Sequence, residues 1–300
     1  MFQEFDLSII AMMTNYSAMM MSAYPILLDL MVRLVESQSG KPISPGEAWR
    51  NDAQTLSLKL FRHLVSMQTL SNGATVNCSN GLKLSHIDHG SVIVVTRAAV
   101  ETYLVWHYIY GQSDRALAHF RYMTWRLAGL MERQNHHIVL PEAIVKRNAE
   151  KPFVDKLRAD ILASKFFGAF SSRQQKKILD GDWKIAVSTG DLAVSAGIHG
   201  TYFKNMYGYL CSYSHASYVS AMQTGEAKDL EELVQLTRAI LGIGVVVMAH
   251  FACNYPNQFP EAAAVFAADS EAKAVAEKWA FTADDMAATY GDVQTRDLEA

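Results

Sequence analysis

Along most of the chain apolar residues recur every three or four positions, the period of an α-helix with one buried face. Leu56, Leu60, Leu64 and Met67 form one such stripe. The pattern predicts helices over about 5–35, 44–70, 88–110, 114–136, 153–166, 171–180, 189–196, 201–222, 229–253 and 260–280. Ser44 is placed to cap the second helix, with Pro45 at its first position and Glu47 closing a capping box. Pro25 would kink the first helix, Pro141 and Pro152 bracket a short connection, and Pro256 and Pro260 separate the last two helices. Residues 71–86, rich in Ser, Asn and Gly, read as a loop. Val92 to Val95 is β-branched, but the apolar stretch around it is too long for one strand. Strands do not alternate with helices, so no parallel sheet is called for. The expected fold is all-α, a single irregular bundle of about nine or ten helices. One domain would cover 1–290, with the first helix as a possible appended packing element and 291–300 as a frayed polar tail.

Composition narrows this picture. Half of the 300 residues are hydrophobic and 19% are charged, enough to bury a core. The three cysteines, Cys78, Cys211 and Cys253, form no C-x-x-C pair and no disulfide framework, so a cytoplasmic setting is expected. The acidic start Met1 to Asp6 lacks the positive charge of a signal peptide. Leu7 to Leu28 is uncharged and long enough to span a bilayer. It carries Ser8, Thr14, Asn15, Ser17, Ser22 and Pro25, however, and is flanked by Asp6 and Asp29. A buried helix is favoured over a span. Its methionines 12, 13, 19, 20 and 21 suit an adaptable contact surface, either for a protein partner or for a second copy of the chain through residues 7–35. The net charge of −3 is unevenly spread: residues 83–204 carry 17 basic and 11 acidic groups, residues 205–300 carry 5 and 13. The basic middle can attract phosphates, or the two thirds can simply present solvated faces of opposite sign.

Two constellations stand out. Between Ser91 and Tyr110 the acidic and basic residues are Arg97 and Glu101, with His107 beyond them, in otherwise apolar and aromatic sequence. A pair at i and i+4 can touch, as an internal strut or as the wall of a pocket. Later, six of the 17 residues from Tyr202 to Tyr218 are aromatic, with Ser214 and His215 among them. Adjacent residues point about 100° apart on a helix, so Ser214 and His215 are no nucleophile–base pair. His215 needs a polar partner if buried, and Glu101 is the candidate carboxylate. In a catalytic reading Arg97 holds a phosphate, Glu101 orients it, His215 exchanges a proton, and Ser214 lies beside them. Tyr207, Tyr213, Tyr218 and His107 would line the substrate.

Other patterns are weaker. His86-Ile87-Asp88-His89 offers metal-ligand types, but no further spaced pair completes a site, and Asp88 better suits a helix cap. Arg115, His119, Arg121, Arg126 and Arg133 share one expected helix with Tyr122 and Trp125. Such interleaving can bind single-stranded RNA or form a solvated face over core aromatics. No Walker loop, G-x-G-x-x-G, G-x-S-x-G or H-E-x-x-H occurs, so neither cofactor nor metal is expected.

The pattern Arg97-x-x-x-Glu101, followed much later by Tyr207-x-x-Leu210-x-x-x-Ser214-His215, resembles an uncharacterised bacterial all-helical family known as a domain of unknown function. The resemblance covers roughly residues 50–250. It implies that Arg97, Glu101, Ser214 and His215 converge in one buried polar cluster. That family is in turn similar to the helical HEPN ribonucleases of toxin and phage-defence systems, which carry Arg, four to six residues, then His on one helix. Here Arg115 to His119 and Arg133 to His137 are each one residue too short. The implied activity is therefore action on, or binding of, RNA or a nucleotide through residues from different helices. The alternative is a non-enzymatic interaction module.

Overall fold

The helix boundaries follow their caps. Asp88 accepts from the Ser91 amide at 2.9 Å and opens a helix over His89–Tyr110. Asp114 accepts from the Ala116 and Leu117 amides and opens the next, Arg115–Asn135. Each satisfies backbone donors that a helix start leaves unpaired. The computed structural model describes residues 7–184, 187–215, 217–226 and 230–290, without the side chains of residues 7–17, 219, 226 and 287–290. The expected polar tail at 291–300 lies outside the described residues.

The fold is all-α. Thirteen α-helices are found among the described residues: α1 (Leu7–Glu36), α2 (Asn51–Ser71), α3 (His89–Tyr110), α4 (Arg115–Asn135), α5 (Pro141–Leu162), α6 (Ser172–Leu179), α7 (Thr189–Ser195), α8 (Gly200–Ser214), α9 (Tyr218–Glu226), α10 (Leu230–Asn254), α11 (Pro260–Ala268), α12 (Ser270–Trp279) and α13 (Ala283–Tyr290). The expectation of nine or ten was low because two long periodic segments are broken and because α13 follows the last expected helix. The expected helix over 201–222 stops at Ser214, and Ser217 caps a new one by accepting from the Ser220 amide. The expected helix over 260–280 breaks at Asp269, whose carboxylate accepts from the Ala272 amide and from Arg33 on α1. In the other direction, α5 runs straight through Pro152. Ser44 caps nothing; a short 3₁₀ turn at Ala48–Arg50 precedes α2 instead.

The expected loop over 71–86 contains a two-stranded antiparallel hairpin, β1 (Ala74–Asn77) and β2 (Lys83–His86), with Val76 opposite Leu84. Gly73, at φ +74°, turns the chain out of α2 into β1. All eight strand residues are exposed, so no buried face marks them in the sequence.

The centre of the bundle is α1, α2, α3 and α10 packed on one another. Leu27, Leu30, Leu34, Leu60, Leu64, Met67, Tyr103, Trp106 and Phe251 are sealed there. The α1 face from Ala23 to Leu34 is thus committed to the core, and Met19 is exposed at its edge. Segments Ala18–Glu36 and Leu230–Asn257 are long and apolar enough to cross a bilayer by length and composition, and both pack in this core.

Candidate functional site

α3 is not uniformly buried. Val94, Arg97, Glu101, Val105 and Tyr108 form its one seam that is not sealed, at successive helical turns. α8 packs along this seam. It anchors by Phe203 and Leu210, both buried, which leaves Tyr207 between them facing α3. Phe203 stacks on Tyr207 with ring centroids 5.1 Å apart and planes at 14°.

The polar contacts converge on Glu101. Its Oε1 accepts from Arg97 Nε at 2.9 Å and from the Tyr207 hydroxyl at 2.5 Å. The Arg97 guanidinium also lies 5.6 Å from the Tyr207 ring centre, a cation–π distance. Burial acts to lower the Arg97 pKa but is outweighed by Tyr207 and Glu101, which raise it. Burial, then the Glu101 carboxylate, pushes the Tyr207 phenol up to about 12, so it is a proton donor at neutral pH. On the outer side, Arg97 Nη1 is 3.5 Å from His215 Nε2. His215 is the exposed residue that ends α8.

The cluster exists, but it is not buried as expected: the Arg97 and Glu101 side chains are 24% and 40% exposed. A seam between two helices lets the pair stay partly hydrated, which avoids most of the desolvation cost of an internal strut. Nor do Glu101 and His215 pair; Arg97 stands between them. Ser214 is turned away, its hydroxyl donating back to the Leu210 carbonyl at 3.2 Å.

Three expected substrate-binding residues fall elsewhere. Tyr218 is 83% exposed at the start of α9, beyond the break. His107 lies about 15 Å further along α3, ten residues at 1.5 Å each, and is buried. Burial, with His250 and Arg121 nearby, pulls its pKa down to about 4. Tyr213 packs edge-on to His89 at 5.9 Å and beside Tyr209. His89 at the centre of this nest is buried, meeting the Thr237 hydroxyl at 3.2 Å and the Tyr209 hydroxyl at 3.4 Å, while the two tyrosines are half-buried. Asp88 caps α3 and His86 sits in β2, so the His-rich run is split three ways. Among the described residues no group of three or more His, Cys, Asp or Glu is placed to hold a metal ion.

No curated protein and no solved structure matches the chain. Residues 59–232 match the profile of one family, and that span holds α3, α8 and every residue of the Arg97 cluster. With more than half its length matched, the chain belongs to DUF5677, a family of unknown function.

Proposed function

We propose that the seam between α3 and α8 binds the phosphodiester backbone of RNA and that His215 exchanges a proton there. The observation that carries this reading is the juxtaposition of Arg97 Nη1 and His215 Nε2 at 3.5 Å on an open surface. Glu101 engages Arg97 through Nε, which leaves the two terminal nitrogens with hydrogens to donate, one of them beside His215. An arginine and an imidazole facing one space are held best by an anion between them. Lys204, exposed one turn before Tyr207, adds charge on the same helix. The 17 basic and 11 acidic groups of residues 83–204 add longer-range attraction.

The chemistry available is transesterification. The RNA 2′-oxygen attacks phosphorus, the bond from phosphorus to the 5′-oxygen breaks, and the products are a 2′,3′-cyclic phosphate and a 5′-hydroxyl. His215 takes the proton from the 2′-hydroxyl, and water supplies one to the departing oxygen. Arg97 stabilises charge on the phosphate oxygens; Glu101 and Tyr207 position Arg97. The family's likeness to ribonucleases of toxin and phage-defence systems suggests the same substrate class, but this chain lacks their Arg-to-His spacing.

The test is an end-labelled single-stranded RNA incubated with the full chain. Binding and cleavage are expected; His215→Ala should bind without cutting, and RNA with 2′-deoxy sugars should bind uncut. RNA left both unbound and intact at protein concentrations up to about 100 µM, the weak end of non-specific binding, would overturn the proposal.

A further inference from the structure

A second concave feature lies beyond the far end of the α3 seam, where Tyr108 meets Trp183, about 16 Å along the helix from Arg97. α2, α4 and the segment before α7 border an open depression of about 360 Å³ lined by Asp52, Trp125, Arg126, Glu132, Arg133 and Trp183. Its size falls at the lower end of small-ligand sites, about 300–1,000 Å³.

The tryptophans are the first sign. The chain has five. Trp106 and Trp279 are sealed, at 0% and 2% exposure, whereas Trp49, Trp125 and Trp183 are half-buried, and the last two line this depression. Each is braced from behind: Trp125 by Tyr122 at 6.3 Å and Trp183 by Tyr108 at 5.7 Å between centroids. A braced indole with an open side is a stacking platform for a planar ring.

The polar groups say which ring. Arg126 is exposed, its Nη1 donates to the Tyr122 hydroxyl at 3.2 Å, and it has no ion pair among the described residues. It remains available to a phosphate, unlike Arg133, which pairs with Glu150 at 2.7 Å. Lys184 Nζ lies 5.3 Å from the Trp183 ring and adds a second cation there. Asp52 Oδ2 accepts from the Tyr122 hydroxyl at 2.9 Å, while Oδ1 has no hydrogen bond among the described residues. A carboxylate oxygen on the wall of an aromatic depression asks for an N–H edge. Bases with an exocyclic amino group offer one, whereas uracil presents a single ring N–H between two carbonyls that a carboxylate repels.

We infer that this depression binds one nucleotide unit, its base against Trp125 and Trp183, its amino edge on Asp52 and its phosphate on Arg126. The site uses neither Arg97 nor His215, and so goes beyond the proposed function. The unit can be a free nucleotide or one residue of single-stranded RNA.

Quenching of the chain's tryptophan fluorescence on titration with 5′-AMP, 5′-UMP, hexaadenylate and hexauridylate separates these sources. Saturable quenching is expected, stronger for the adenine ligands. Equal affinity for AMP and hexaadenylate marks a free-nucleotide site; binding confined to the hexamer marks a strand site. Trp183→Leu and Arg126→Gln should each weaken binding about tenfold or more, the loss of one stack or one phosphate contact. Asp52→Asn should narrow the preference over uracil. Arg126 is exposed, so Arg126→Gln keeps the test sound if Trp183→Leu fails to fold. No saturable quenching, or quenching untouched by both variants, overturns the inference, as does AMP binding that vanishes in Arg97→Ala. RNA binding that needs Arg97 but not Trp183 or Arg126 would leave the proposed function standing and remove this one.

Discussion

Replacing Arg97 with alanine separates a structural role from a functional one. The Arg97–Glu101 pair is 24% and 40% exposed, the regime in which ion pairs contribute about 0.2–1 kcal/mol. The cation–π contact to Tyr207 adds about 0.5–1 kcal/mol at an exposed site. The variant should therefore lose about 1–2 kcal/mol of stability. For a chain of this size that is a fall in Tm of about 2–6 °C, measured by circular dichroism. RNA binding should suffer more. A charge-assisted contact contributes about 1.5–3 kcal/mol, so affinity should fall roughly 10- to 150-fold. The slope of log affinity against log salt should shallow by about 0.7, one phosphate on a single strand. A fall in Tm of about 10 °C or more would show that Arg97 is a buried strut, whose removal costs about 3–5 kcal/mol. A folded variant with unchanged affinity and salt slope would refute the phosphate role outright.

Stability should also depend on pH through His107. Its folded pKa of about 4 lies below the ordinary 6.5, so the unfolded chain takes up the proton first as pH falls. The contribution, up to about 3 kcal/mol, is fully present above pH 6.5 and lost towards pH 4. Urea midpoints between pH 7 and 4.5 should show that slope, reduced in His107→Leu; parallel curves would disprove it. His89 and His250, lowered chiefly by burial, act in the same direction and remain in the variant. Gly73→Ala should cost about 1–2 kcal/mol in urea denaturation, since φ is +74° and a Cβ would sit 2.9 Å from the His86 carbonyl oxygen. Gly208→Ala, mid-helix in α8 with open space around it, should instead gain about 0.5–1 kcal/mol. Tyr207→Phe keeps the Phe203 stack but frees Glu101, and should weaken RNA binding about threefold to tenfold with little change in Tm; no change in binding would mean Glu101 needs no second donor to position Arg97.

Where a helix has a cap and one buried face, its limits were legible in the sequence. Asp88 and Asp114 set the starts of α3 and α4 within a residue or two of expectation. The misses share a physical cause: periodicity reports the face, not the continuity, of a helix. Ala262 in α11 and Ala272 and Ala276 in α12 all lie inward, so the pattern runs on while the backbone breaks at Asp269. The hairpin was missed for the opposite reason, because β1 and β2 bury neither face. The helix over 153–166 was started too late, because an interior proline ordinarily breaks a helix, whereas α5 continues through exposed Pro152.

Of the eight residues the sequence proposed, Arg97, Glu101, Tyr207 and His215 come together, Ser214, Tyr213, Tyr218 and His107 do not, and the depth of the cluster was not legible. An i, i+4 ion pair in an apolar helix looks like a buried strut when every other residue is hydrophobic. The desolvation cost of such a strut argues for a different place, the seam where a neighbouring helix covers apolar flanks but leaves the charges wet. Val94, at 42% exposure, and half-buried Val105 are the apolar flanks that hid this seam in the pattern. The break after α8 was the other hidden feature, and it sets where His215 stands. On a continued helix His215 would be one more residue of the α8 surface. Because α8 ends at Ser214, the imidazole stands at the helix terminus, within 3.5 Å of Arg97 and open to solvent. The Ser217-x-x-Ser220 cap signals that break in the sequence itself, and any chain with the same two helices but no such cap should lack the arginine–imidazole juxtaposition.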